Sequence, residues 1–331
     1  MSDSRKRGTQ SGKRFRPTHT TLRTTPRLAR VRRRLLGPAL AGWLLWKLVG
    51  PEVPPRFEGT QQRPADIPGH TVTVGRQEFF VRELGDPDAP PLVLLHGWLY
   101  DSFATWHRVA PDLATTHRVV MPDLRNHGKS DRIRTRFDIH DAADEVAQVL
   151  DTLDIAGAPV VGYSMGGMIA QELTLRHPGI MSRLVLAATA AAPVQRPRWL
   201  TVPAMVGARA FSRVDRTLIA RATHRYLMMT EAFPAENGEW LWQMLLDRDV
   251  DLYYETGFAI LRFDATERVR RIDIPVCSII PTRDQLIPPE YQRRTAQIIG
   301  ADIVEIDGAR HEAVLTHSAE IAKVIAEFVS G

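Results

Sequence analysis

Pro159-Val160-Val161-Gly162-Tyr163-Ser164-Met165-Gly166-Gly167 is the stretch on which the reading of this 331-residue chain turns. An apolar run leads into it, and an amphipathic segment from Met168 to His177 leads out. The context predicts strand, sharp turn, helix. Gly162 and Gly166 flank the serine two positions away on either side. In so tight a turn backbone meets backbone, and a Cβ at those positions would clash. G-x-S-x-G between a strand and a helix is a nucleophile elbow, with the serine hydroxyl exposed on a strained turn. The helix that follows brings free N–H groups and the positive end of its dipole, both of which favour negative charge nearby.

Strands and helices alternate outward from this point. Upstream, His70–Val74 and Phe79–Leu84 alternate as strands around Gly75-Arg76-Gln77, a hairpin-like turn. Pro91–Leu95 is continuously apolar, as a strand buried on both faces should be. A helix is predicted over 101–115, then a strand at Arg118–Met121. Asp138 is placed to cap a helix whose Ile139, Ala142, Ala143, Val146, Val149, Leu150 and Leu153 follow the i, i+3, i+4 rule. Downstream of the elbow come strands at Arg183–Ala188, Val276–Ile280 and Ile303–Ile306, and a last helix with Ile321, Val324, Ile325, Phe328 and Val329 on one face. The alternation predicts an α/β fold, a mostly parallel doubly wound sheet with helices on both faces. Residues 191–268 break the rhythm with a long, helical, aromatic- and Met-rich insertion. The expected organisation is an α/β core over 68–190 and 269–331, with 191–268 as a helical insertion.

A serine hydroxyl attacks only when a base removes its proton, normally a histidine oriented by a carboxylate. His311 follows the last predicted strand and Asp284 the strand before it. In a parallel sheet the C-terminal strand ends share one edge, so Ser164, Asp284 and His311 are expected to meet there. No metal-ligand spacing of the C-x-x-C or H-E-x-x-H kind occurs, so neither metal nor cofactor is expected.

From about residue 70 to the C-terminus the chain resembles the α/β-hydrolase family, whose triad follows the same order, Ser…Asp…His. By that resemblance His96-Gly97 is the supporting oxyanion loop, and the backbone N–H groups of Trp98 and Met165 form the oxyanion hole. Asp123–Ser130 resembles the family's D-x-R-G-x-G-x-S loop, with Asn126 in place of a glycine. The insertion 191–268 falls where family members carry a helical cap. His127 reads as a loop hydrogen-bonder, and Arg283 and Arg310 as solvent-facing neighbours of the triad. Met228-Met229 and Trp240-Leu241-Trp242 read either as core or as the lining of an apolar substrate pocket.

The resemblance implies a serine esterase or lipase-like hydrolase acting on a small apolar ester or lipid through an acyl-enzyme. C–C bond hydrolases and cofactor-free haloperoxidases share the triad and stay open as alternatives. A non-catalytic ligand-binding protein of the same fold is the alternative from another class. Members with an aspartate nucleophile are disfavoured by the serine at 164.

Composition supports one large core: 44% of residues are apolar and 24% charged. The single cysteine, Cys277, excludes an intramolecular disulfide and reads as a buried small hydrophobe. Charge is split along the chain. Residues 1–50 hold 13 Lys/Arg and one acid, Asp3, a formal +12; residues 51–331 hold 30 Lys/Arg and 37 Asp/Glu, a formal −7. An acidic body argues against nucleic acid as a partner. Residues 1–34 lack apolar periodicity and are expected to be disordered. Residues 35–50 form an apolar segment with Trp43 and Trp46, preceded by Arg30 and Arg32–Arg34, suited to an anionic membrane surface. Residues 51–67 read as a proline-rich linker. The segment is shorter than the ~20 residues a spanning helix needs. An interfacial anchor on the cytoplasmic side is therefore the expectation. An outward-facing anchor, an export signal and an extension packed on the body remain open. The oligomeric state is not legible.

Overall fold

Leu92 and Leu94 pack into one hydrophobic layer, Val93 and Leu95 into another, and all four are fully buried. Successive strand side chains point to opposite faces, so a strand apolar at every position needs cover on both sides. That is the situation of this chain's central strands. The structure, a computed structural model, describes residues 54–57, 59–193 and 198–331. The tail expected over 1–34, the apolar segment 35–50 and residues 51–53 of the linker lie outside the described residues. Among the described residues no helix is long and apolar enough to cross a membrane.

The strands are β1 Gly69–Val74, β2 Gln77–Leu84, β3 Pro91–Leu95, β4 Arg118–Pro122, β5 Val160–Tyr163, β6 Leu184–Ala187, β7 Val276–Pro281 and β8 Asp302–Ile306. They form one sheet of order β1-β2-β4-β3-β5-β6-β7-β8. The β1–β2 and β2–β4 pairings are antiparallel and all others parallel. Strands β3 to β8 therefore end on one common edge.

Helices α1 Ile139–Thr152 and α2 Met165–Arg176 cover one face, through Val146, Leu150, Met168, Ile169 and Leu173. Asp138 caps α1, its Oδ1 accepting from the His140 N–H at 3.0 Å. The expected helix over 101–115 is split into short helices at Ser102–Trp106 and Ala110–Leu113. Pro111 opens the second piece. Inside one continuous helix it would remove a hydrogen bond and strike the carbonyl four residues back. The apolar stripe survives the break: Phe103, Trp106, Val109 and Leu113 are all buried.

Between β6 and β7 lie α3 Arg198–Val214, α4 Arg216–Met229, α5 Gly238–Leu246 and α6 Val250–Arg262. Helix α3 packs on α6, and α4 on α5. Aspartates start two of these helices: Asp215 Oδ1 accepts from the Thr217 N–H, and Asp249 Oδ1 from the Asp251 and Leu252 N–H groups. This group is fastened to the loop before α1 by Arg132–Asp247 at 3.1 Å and Arg134–Asp249 at 2.6 Å. Helix α7 Pro289–Ile299 links β7 to β8, and α8 Ser318–Ser330 ends the chain with Ile321, Ala322 and Ile325 buried.

Candidate active site

Ser164 sits between β5 and α2 with φ 53° and ψ −115°, a left-handed conformation that a side chain adopts only under constraint. The close approach that fixes it is visible at the two glycines. A Cβ on Gly162 would lie 2.6 Å from the Gly166 carbonyl oxygen, and one on Gly166 would lie 2.3 Å from the Leu95 carbonyl oxygen. The Ser164 N–H donates to the Ala187 carbonyl at 2.9 Å, which ties the turn to β6.

The structure brings together the three side chains expected to meet. His311 Nε2 lies 3.0 Å from Ser164 Oγ, and His311 Nδ1 lies 2.8 Å from Asp284 Oδ2. With the Nδ1 proton directed at the carboxylate, Nε2 is free to accept the serine proton. Asp284 is held in turn. Its Oδ1 accepts from the Leu286 and Ile287 N–H groups, each at 2.9 Å, and its Oδ2 from Gln292 Nε2 at 2.9 Å. The loops bearing Asp284 and His311 are joined by the Arg283 N–H donating to the Ala309 carbonyl at 2.8 Å. The Tyr163 hydroxyl donates to the His311 carbonyl at 3.0 Å.

Burial is the largest single influence on the His311 pKa and pulls it down. The Asp284 charge and hydrogen bond, with the Glu312 charge, outweigh it, and the net shift is upward. Glu312 is itself buried, and its Oε2 accepts from the Tyr226 hydroxyl of α4 at 3.1 Å. Sequence reasoning did not find Gln292, Glu312, Tyr163 or Tyr226. Only Gln292 carried a signal, as a polar residue on the inward face of the amphipathic α7.

His96 and Gly97 lie where the loop reading put them. His96 is fully buried, with Nδ1 donating to the Gly97 carbonyl at 2.8 Å and Nε2 accepting from the Leu124 N–H at 2.9 Å. Burial, then the neighbouring His127, lowers its pKa to about 3, so it is a neutral strut. A Cβ on Gly97 would lie 3.3 Å from Ser164 Cβ, so this turn passes directly over the serine. Met165 opens α2, where backbone N–H groups have no partner within the helix. Asn126 has φ 69°, which asparagine tolerates better than most residues, and its Oδ1 accepts from the Ile133 N–H at 2.7 Å. The asparagine thus serves where a glycine was expected. His127 is buried and bonds the Arg125 carbonyl through Nδ1 at 3.0 Å, as read.

A cavity of about 280 Å³ opens onto Ser164 and His311, walled by Trp98, Met168, Met205, Ile260, Leu261 and Ile287. Of the residues read as either core or pocket lining, none lines this cavity. Leu241 and Trp242 are core, Met229 is 72% exposed, and Trp240 lines a separate cavity that charged residues also line. Helical periodicity shows which residues share a face but not which face meets the serine. Trp98 is clamped to α6: its ring stacks on Tyr253 at 4.4 Å, and its Nε1 donates to the Tyr253 carbonyl at 2.8 Å. Gly257 makes room for it, since a Cβ there would lie 2.6 Å from the indole.

A mostly parallel eight-stranded sheet, a serine on a strained strand-to-helix turn and a histidine–aspartate pair beside it define a hydrolase class. Residues 90–318 match the α/β-hydrolase fold family, and the chain belongs to it. It is 31% identical over 260 residues to a pimeloyl-[acyl-carrier protein] methyl ester esterase of Neisseria meningitidis serogroup B, covering 74% of this chain and 95% of that protein. It is 27% identical over 264 residues to a non-heme chloroperoxidase of Streptomyces lividans, covering 75% of this chain and 95% of that protein. Among solved structures it is similar to an enol-lactonase from Burkholderia xenovorans LB400. The TM-score is 0.69 at 25% identity, over 79% of this chain and all of that one.

Proposed function

We propose that this protein is a serine hydrolase that cleaves carboxylic esters of an apolar substrate through an acyl-enzyme. The observation that carries the reading is the Ser164–His311–Asp284 chain of hydrogen bonds at the floor of an apolar cavity. Ser164 Oγ attacks the ester carbonyl as His311 Nε2 takes its proton. The oxyanion is held by the backbone N–H groups of Trp98 and Met165, and Asp284 stabilises the imidazolium. His311 then protonates the departing alcohol. A water, deprotonated by His311, releases the acid and restores Ser164. The likeness to a methyl ester esterase supports the bond type. The test is a panel of 4-nitrophenyl esters of increasing acyl length, run beside Ser164→Ala and fluorophosphonate labelling. Hydrolysis and labelling that survive in Ser164→Ala overturn the reading.

The likeness to a non-heme chloroperoxidase favours a second activity of the same acyl-enzyme. Hydrogen peroxide in place of water would release a peracid. Peracid formation from acetate and peroxide, lost in Ser164→Ala, is the measurement; its absence removes this activity.

The apolar segment 35–50 and the formal +12 of residues 1–50 support a peripheral attachment of residues 1–50 to an anionic membrane surface. The proposed substrate is in either case a small ester.

A further inference from the structure

A second cavity, of about 190 Å³, lies beside the first and shares Leu99 and Tyr100 with it. The stacked pair Trp98 and Tyr253 forms part of the partition, Trp98 lining the serine side and Tyr253 the other. Where the serine cavity is apolar, this one is lined by charges. Most of them are satisfied. Arg82 pairs with Asp123, Arg63 with Asp66, and Arg132 with Asp247. Asp249 pairs with Arg134 and caps α6, and Asp101 Oδ1 accepts from the Ala104 N–H at 2.7 Å.

Lys129 is exposed and lies over the Phe80 ring, and Arg82 leaves only its Nε unmet; Arg248, between α5 and α6, leaves a whole edge unmet. Its guanidinium bonds the Tyr253 side chain, but Nε and Nη2 are buried without any partner. These two nitrogens are the side-on edge of the guanidinium, the fork that grips a carboxylate with two parallel hydrogen bonds. The Tyr100 hydroxyl, in the wall common to both cavities, is also buried and unpartnered. A cation held out of water is unfavourable unless an anion meets it. Asp101, Asp247 and Asp249 line the same space. Arg248 Nε and Nη2 present two parallel donors, which a planar carboxylate can meet with its two oxygens.

We propose that this cavity is a carboxylate-binding site, with Arg248 Nε and Nη2 and the Tyr100 hydroxyl as donors. It takes the distal acid group of a substrate whose ester lies at Ser164. The second half rests on the ester-hydrolase reading. It narrows the substrate class to half-esters: apolar next to the reacting bond, acidic at the far end.

The test compares two esters alike except at the terminus, mono-4-nitrophenyl suberate and 4-nitrophenyl octanoate, on the full chain. The readout is the ratio of their kcat/KM values. Arg248→Gln is expected to lower the ratio at least tenfold in disfavour of the acid. Arg248→Lys, which keeps the charge and loses the fork, should lower it less. A variant that folds poorly slows both esters and leaves the ratio standing. Calorimetric binding of monomethyl suberate to Ser164→Ala and to Ser164→Ala/Arg248→Gln supplies a readout independent of turnover, with at least tenfold weaker binding expected in the double variant. Arg248-dependent binding without hydrolysis of either ester refutes the esterase reading and keeps the site. Hydrolysis of both esters with a ratio and an affinity indifferent to Arg248 refutes the site and keeps the esterase. Binding of hexanoate to the same fork, with no selectivity between the two esters, overturns the substrate assignment.

Discussion

At the scale of single residues the proposed chemistry rests on three side chains that act as one. Ser164→Ala and His311→Ala should each lower kcat/KM by about 10⁴–10⁶-fold, and combining them should add little, since either loss disables the same step. Asp284→Asn should cost somewhat less, because the orienting group can go while the serine–histidine pair remains. Effects that multiply in the double variant would separate the residues functionally. The pH profile has a definite sign. His311 works as a base only when neutral, and its pKa is raised above the ordinary 6.5. The acidic limb of kcat/KM should therefore fall above pH 6.5. Glu312→Gln removes one of the charges that raise it and should move the limb to lower pH. A limb that stays in place assigns Glu312 to packing alone. Ser164, Asp284 and His311 were legible as candidates because each lies in the loop after a strand and strand ends converge. Gln292 and Glu312 were not, because they act through burial and partners that only the folded chain supplies.

The elements explain why the site is rigid on one side and adaptable on the other. The elbow has no slack: Gly162→Ala sets a methyl 2.6 Å from the Gly166 carbonyl oxygen. Backbone there cannot yield without moving Ser164. Gly162→Ala should thus lose activity well beyond its stability cost, which circular dichroism and a melting curve would separate. An active Gly162→Ala with native kinetics would contradict the strained-turn account. The cavity wall formed by α6 is the adaptable part. Leu261→Trp should fill space in the 280 Å³ cavity and shift the preferred acyl chain to shorter lengths. An unchanged chain-length profile would take Leu261 off the acyl path. Sequence periodicity found the strands and α1 with its Asp138 cap. It overlooked the break between the two short helices, where a buried stripe continued across Pro111. It could not rotate the insertion helices, and so left Met228 and Trp242 open between core and pocket, while Met205, Ile260 and Leu261 line the serine cavity.

Over the whole molecule, charge and chemistry are separated along the chain. Residues 1–50 carry a formal +12 and residues 51–331 a formal −7. Each basic residue near an anionic bilayer contributes roughly 1 kcal/mol, screened beyond a Debye length of about 8 Å at physiological salt. Insertion of Leu35–Val49 side chains would add an attraction that salt does not weaken. Full-length protein should then sediment with anionic vesicles, partly released by salt. Replacing Trp43, Leu44, Leu45 and Trp46 with serine should leave only the salt-sensitive part. Indifference to anionic vesicles at low salt would refute the attachment. This split could be counted from the sequence, whereas the insertion's hold on the core could not. Trp98 is one part of that hold: its backbone belongs to the turn over Ser164, and its ring is bolted to α6 through Tyr253. Were the insertion to lift for a substrate, it would tug Trp98, whose amide is proposed to steady the oxyanion. The open enzyme would therefore idle, and turnover would keep time with a door. If so, kcat should slow as solvent viscosity rises, and Tyr253→Ala should relax that dependence while lowering the rate; a kcat blind to viscosity would mean the door stands apart from the clock.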